Sequence, residues 1–157
     1  MSASFLIGGM QLKIEKIDHV AIRVKDLAQA RKFFSELFEM DFRSLGNSAE
    51  LDIKSIMDTN GIELVEPFLP DGPNSRLIAK YGEGLTLLSL KVSNLDQAVE
   101  DIKKKGVRIT AQVQSGDMRM AILHPKDTFG VQIELIEYKG EHPTITAAKG
   151  YKPDVTG

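Results

Sequence analysis

One histidine and two glutamates carry the chemistry this sequence can support. His19 lies in the strand-like run IDHVAIRV (17–24), Glu63 in IELVE (62–66) and Glu134 in IELIE (133–137). The two pentapeptides differ at a single residue. Successive residues of a strand point to opposite faces. Val20, Ile22 and Val24 therefore share one face, and His19 and Ala21 the other. By the same rule Glu63 opposes Ile62 and Leu64, and Glu134 opposes Ile133 and Leu135. If the strands curve into a cup, His19, Glu63, Glu134 and Leu87 are the four equivalent positions that converge inside it. An imidazole and two carboxylates make a hard ligand set suited to manganese, cobalt, nickel or magnesium, with zinc held less tightly. The competing reading is a hydrogen-bonded strand histidine and two carboxylates solvated in a wide cup.

The elements that must position these residues come as an internal repeat. IDHVAIRVKDLAQA (17–30) lies over LTLLSLKVSNLDQA (85–98) without a gap, with Val24/Val92, Leu27/Leu95, Gln29/Gln97 and Ala30/Ala98 identical. Each copy reads as a strand, a capping residue (Asp26 or Asn94) and an amphipathic helix. Leu27, Ala30, Phe33, Phe34 and Leu37 form the apolar stripe of the first helix. Leu95, Ala98, Val99 and Ile102 form that of the second, which Gly106 ends. Short strands follow each helix: DFRSLG, a segment around ELDIKSIMD and GIELVEP in one copy, VRITAQV, RMAILHP and VQIELIEY in the other. Asn60-Gly61 and HPKDTFG supply turns. The predicted fold is α+β, two βαβββ modules forming a cupped mixed β-sheet with flanking helices. A lone module cannot bury both its helix face and its sheet, so the two form one unit. The boundaries are an N-terminal extension over 1–13, module one over 14–68, a linker over 69–83, module two over 84–138 and a C-terminal tail over 139–157.

Composition narrows the function. The chain has 157 residues, a formal charge of -2 and no cysteine. With lysines and glutamates intermixed there is no electrostatic basis for a nucleic acid or an anionic membrane as partner. Disulfide and thiolate chemistry are excluded. No apolar run is long enough to span a bilayer, and the start MSASFLIGGMQLKIEK lacks a basic leader and a small-residue cleavage site, so a cytoplasmic protein is expected. His124, before a proline in a turn, reads as structural, and His142 lies in the tail without a motif. Glu66 and Glu137, at strand ends, read as surface charges. Lys103, Lys104 and Lys105 suit a helix C-terminus, and Met118 and Met120 read as core filling.

The paired openings, with ELVEPFLPDGPNSRLIAKYGEG (63–84) and LHPKDTFGVQIELIE (123–137), resemble the vicinal oxygen chelate superfamily over roughly residues 14–138. Within it the closest likeness is to methylmalonyl-CoA epimerase. The resemblance implies a divalent metal (Co, Mn, Zn, Ni or Mg) at His19, Glu63 and Glu134. It places the remaining ligand, a histidine, where this chain has Leu87, with Ser89 the nearest residue able to replace it. It implies proton abstraction next to a carbonyl, with Glu134 and Glu50 as the catalytic carboxylates. The implied substrate is a small-molecule carboxylate or acyl-CoA, and the implied assembly a homodimer. Leu87 also keeps open a metal-free relative that binds a small apolar molecule for resistance or sequestration. Extradiol-type redox chemistry fits less well, because that branch relies on two histidines and one glutamate.

Overall fold

The computed structural model describes residues 12–142. The first repeat folds as β1 (Ile14–Arg23), α1 (Leu27–Phe38), β2 (Phe42–Ser48), β3 (Ile53–Asp58) and β4 (Ile62–Pro67). After α2 (Pro73–Tyr81), the second folds as β5 (Gly84–Val92), α3 (Leu95–Lys104), β6 (Ile109–Ser115), β7 (Met118–Leu123) and β8 (Gln132–Glu137). The eight strands form one curled sheet in the order β2-β3-β4-β1-β5-β8-β7-β6. β1 is parallel to β4 and β5 to β8, and the other neighbours are antiparallel. The order reads the same from either edge, so the repeat is a pseudo-two-fold passing between β1 and β5. The mixed α+β sheet of two βαβββ copies is the predicted one, and β1 and β5 join the copies within one chain.

Each copy has its own apolar core under its own helix. Phe42, Ile56 and Leu64 are buried, with Ile22, Ile62, Leu27, Ala30 and Phe34 against them. In the second copy Val92, Leu95, Ala98, Val99, Ala121 and Leu135 are buried, with Leu90, Ile102 and Ile133 against them. Ile22, Ile62, Leu64, Ile133 and Leu135 thus lie on the face that strand alternation gives them, which leaves Glu63 and Glu134 on the other. The two helices differ. α3 buries Leu95, Ala98 and Val99 as predicted, whereas on α1 Phe33 and Leu37 are exposed. The α1 stripe is narrower than its sequence suggested, because Leu27, Ala30 and Phe34 alone make the contact.

The second glutamate of each repeated pentapeptide has a structural role. Glu66 accepts a hydrogen bond from Leu27 N at 2.8 Å and Glu137 one from Leu95 N at 2.5 Å. Each therefore satisfies the first amide of the helix in its own module, where the dipole favours an anion. The reading of both as plain surface charges is corrected. Asp26 and Asn94 cap as predicted, accepting from Gln29 N and Gln97 N at 2.8 and 2.9 Å.

The segment between the copies, read as a linker, holds the helix α2, started by Pro73 after Gly72. Asp52, 2 % exposed, ties it to module one. Its carboxylate accepts from Phe68 N at 3.1 Å, Leu69 N at 2.6 Å and Asn74 N at 2.8 Å. Asp52→Ala leaves the Leu69 and Asn74 amides without this acceptor and Phe68 with only the backbone carbonyl of Asp52. Urea unfolding should show a loss of about 3 kcal/mol, at roughly 1–3 kcal/mol per unmatched buried donor.

Candidate active site in the cup

His19, Glu63 and Glu134 meet inside the sheet. They are 7 %, 8 % and 5 % exposed. His19 Nε2 stands 3.6 Å from Glu63 Oε2 and 3.6 Å from Glu134 Oε1. Those separations are too long for hydrogen bonds. The strand register produces the convergence: β1 carries His19 at the centre of the sheet, β4 lies on one side of it, and β8 is one strand further on the other. Gly61, in the Asn60-Gly61 turn, brings β4 alongside. Its φ is +85°, and a Cβ there would lie 3.0 Å from the Asp18 carbonyl oxygen. Only glycine meets both demands without strain.

Two serines hold the carboxylates. Ser89, fully buried and paired across the sheet with both His19 and Glu134, donates to Glu134 Oε1 at 2.6 Å. Ser55, also buried, hydrogen-bonds Glu63 from β3. Burial pushes the Glu63 carboxyl up to about 7, helped by the nearby charge of Glu134 and opposed by His19 and Ser55. Burial also raises Glu134, against the pull of His19 and Ser89. For His19, burial alone would lower the pKa. The hydrogen bond to Asp18 and the charges of Glu134 and Glu63 outweigh it and raise the imidazole above its ordinary value.

The other ring nitrogen is held from behind. His19 Nδ1 lies 2.8 Å from Asp18 Oδ2. The Asp18 side chain is 2 % exposed and accepts a further hydrogen bond, on Oδ1, from the Tyr138 hydroxyl. Burial raises the Asp18 pKa, but the hydrogen bonds from His19 and Tyr138 bring it below the usual carboxylate value. His142 completes this group, its Nε2 3.7 Å from Asp18 Oδ2. Asp18, His19 and His142 present ligand atoms all within 4.8 Å of one another.

Other predicted positions fall differently. Leu87 faces Ala21 across the central strand pair, so the corner where a fourth ligand was expected is apolar. Glu50 is exposed in the turn between β2 and β3, at the outer side of the sheet, and does not join the cluster. The reason is local: Asp52 takes a left-handed φ of 53° and Gly46 one of 87°, so strand alternation cannot be carried through 46–52. On β3 itself the buried polar side chain that interacts with Glu63 is Ser55. His124 caps the short turn at Pro125–Asp127 by accepting from Lys126 N at 3.2 Å. Ser89 could be found from the sequence by parity, but Asp18, Tyr138 and His142 could not, because alternation assigns no partner to a side chain reached from the chain terminus.

Arg23, four residues along β1 from His19 and 8 % exposed, donates to the Gly82 carbonyl at 3.4 Å and to Thr86 Oγ1 at 3.2 Å. Among the described residues no carboxylate lies within ion-pair distance of its guanidinium.

Two βαβββ copies sharing one curled sheet, with an imidazole and two carboxylates in its hollow, define the paired-module class of small-molecule enzymes and binding proteins. The chain belongs to the Glyoxalase/Bleomycin resistance protein/Dioxygenase superfamily, whose model matches residues 16–135. Human mitochondrial methylmalonyl-CoA epimerase is 29% identical over 136 residues, 82% of this chain and 77% of that protein. The Dictyostelium discoideum enzyme of the same name is 27% identical, over 81% of each. A variant of the Streptomyces coelicolor epimerase in complex with 2-nitronate-propionyl-CoA superposes with a TM-score of 0.73 at 26% identity, covering 82% of this chain and all of that one. The Mycobacterium tuberculosis epimerase superposes with a TM-score of 0.72 at 26% identity, over 85% and 93% of the two chains. No helix among the described residues is long and apolar enough to cross a membrane.

A pH dependence follows from Glu63. Its folded-state value of about 7 exceeds the ordinary 4.5, so the folded chain holds the proton more tightly. The resulting stabilisation is complete below the ordinary value and is lost as pH rises through 7. The raised His19 contributes with the same sign. In protein treated with a chelator, denaturant midpoints should fall from mildly acidic to mildly alkaline pH, and Glu63→Gln should flatten that fall.

Proposed function

We propose that this chain is an epimerase-like isomerase that removes and returns a proton next to the carbonyl of an acyl-CoA or small carboxylate, with methylmalonyl-CoA the first candidate. The observation that carries the reading is the buried set of His19, Glu63 and Glu134, each group contributed by a different strand and held by its own hydrogen bond. The likeness to epimerases over most of the chain supports the same chemistry.

The donor types of His19, Glu63 and Glu134 suit a divalent ion, whereas among the described residues the group whose ligand atoms all lie within 4.8 Å of one another is Asp18, His19 and His142. With Nδ1 engaged by Asp18, the imidazole keeps Nε2 toward the two carboxylates, and two anionic groups at 3.6 Å from that nitrogen call for a cation. His19, Glu63 and Glu134 would hold the ion, which supplies electrostatic stabilisation of an enolate oxygen. Leu87 offers no donor, so that corner is left to the substrate's own oxygens. Glu63 or Glu134 accepts the α-proton. In the metal-free site burial raises the proton affinity of both carboxylates, that of Glu63 to about 7. Ser89 and Ser55 keep the two carboxylates in place while they change charge. Arg23, at roughly 13 Å along β1 by strand rise, is placed to meet a remote anionic group of the substrate.

The same Leu87, with Ser89 already hydrogen-bonded to Glu134, favours a second reading: a metal-free protein whose cup binds a small molecule. Solvent-deuterium exchange into methylmalonyl-CoA, followed by proton NMR, separates the two. Exchange that needs added Co²⁺ or Mn²⁺ and falls at least about 100-fold in Glu134→Ala supports the enzyme. Full exchange in the presence of a chelator would eliminate the metal's role. No exchange, together with no retained metal, would favour the binding protein. Arg23→Met should raise KM for the acyl-CoA with little change in kcat.

A further inference from the structure

The group on the far side of His19 comes from the segment that follows β8. Tyr138 follows β8 directly, and His142 follows four residues later. Both are buried, at 5 % and 4 % exposure, beyond the last strand. The Tyr138 hydroxyl reaches across 120 residues of sequence to Asp18 Oδ1, while His19 Nδ1 takes Oδ2. The His142 ring stands edge-on to both neighbours, its centroid 5.8 Å from that of His19 and 5.2 Å from that of Tyr138. Lys91 Nζ sits 4.5 Å over the Tyr138 ring and pairs with Glu15 at 3.2 Å, which fixes the tyrosine on its outer side. This is an aromatic and hydrogen-bonded clamp on one carboxylate.

We infer that Tyr138, supported by His142, is a positioning residue for His19, acting through Asp18 to hold the Nδ1 proton and keep Nε2 aimed at Glu63 and Glu134. The inference deepens the proposed function and rests on its placement of His19 in the active site. Either oxygen of a free aspartate could accept from Nδ1. The hydroxyl on Oδ1 leaves Oδ2 as the acceptor and stops the carboxylate from turning. Asp18, His19 and His142 are close enough to suggest a second cation site, but both Asp18 oxygens already accept hydrogen bonds. The Nδ1 side of His19 is therefore committed to orientation. Partners of this kind around a ligand histidine typically change metal affinity about 10–100-fold when removed.

The test uses the full chain and two ring-conserving variants, Tyr138→Phe and His142→Phe, with thermal unfolding as the folding control. The first readout is the His19 Nδ1–H resonance in proton–nitrogen NMR spectra of metal-free protein, assigned by its absence in His19→Gln. The second is the Mn²⁺ dissociation constant and stoichiometry by calorimetry. The wild-type chain should show the resonance, sheltered from solvent exchange by Asp18. Both variants should broaden or lose it and bind Mn²⁺ about 10–100-fold more weakly. An unchanged resonance with Mn²⁺ affinity within about twofold in both variants overturns the inference. Two ions per wild-type chain, falling to one in His142→Phe, would also overturn it by making the cluster a metal site. A wild-type chain that binds no Mn²⁺ removes the metal from the proposed function, and the resonance alone then decides the role of Tyr138. If one variant does not fold, the other decides.

Discussion

Two carboxylates buried beside one imidazole are the constraint around which the sheet is organised. Neither Glu63 nor Glu134 is close enough to His19 for a hydrogen bond, and both lie almost wholly out of water. Burying a charge without compensation is among the costlier things a fold can do. The surrounding groups read as answers to that cost: a serine on each carboxylate, an aspartate behind the imidazole, and proton affinities shifted upward so that the charge is partly withdrawn. A site of this kind destabilises the empty fold, and a ligand that binds it returns part of what was lost.

The repeat makes such a site possible by setting two demands on one strand. In IELVE and IELIE the first and third residues pack under a helix, the second, a glutamate, turns into the cup, and the last glutamate reaches back to the first amide of that helix. One short alternating sequence thus supplies core, site and cap. That explains why the pentapeptide is repeated so closely while the strands around it diverge. Sliding either strand by one residue would exchange a buried carboxylate for a leucine on the cup face and break both the site and the core.

The parts of the fold legible in the sequence were those governed by a period. Alternation placed His19, Glu63 and Glu134 together, and helical spacing with Asp26 and Asn94 placed α1 and α3. What was not legible broke the period or spanned the chain. The place of Glu50 could not be read from a period, because a left-handed Asp52 and the left-handed Gly46 end the alternation on either side of it. The helix α2 was hidden by the proline and glycines that start and stop it. Phe33 and Leu37 have the right spacing for a buried stripe, but α1 meets its sheet along a narrower line. Tyr138 and His142 carry no periodic signal, since their role depends on a partner 120 residues away in the case of Tyr138.

Symmetry accounts for the sheet, and departures from it account for the site. Gapless overlay makes Leu87 the counterpart of His19, yet the strand register sets Ser89, not Leu87, opposite His19. The two module openings therefore contribute unlike groups: an imidazole from β1, and a serine bonded to Glu134 beside an apolar corner from β5. The clamp behind His19 has the same asymmetry, because Tyr138 extends β8 and module one ends instead in Pro67 and the turn to α2. A duplicated scaffold can hold two equal half-sites. Here module one contributes His19 and Glu63, and module two contributes Glu134 together with the apolar corner at Leu87 and the tyrosine that supports His19 from behind.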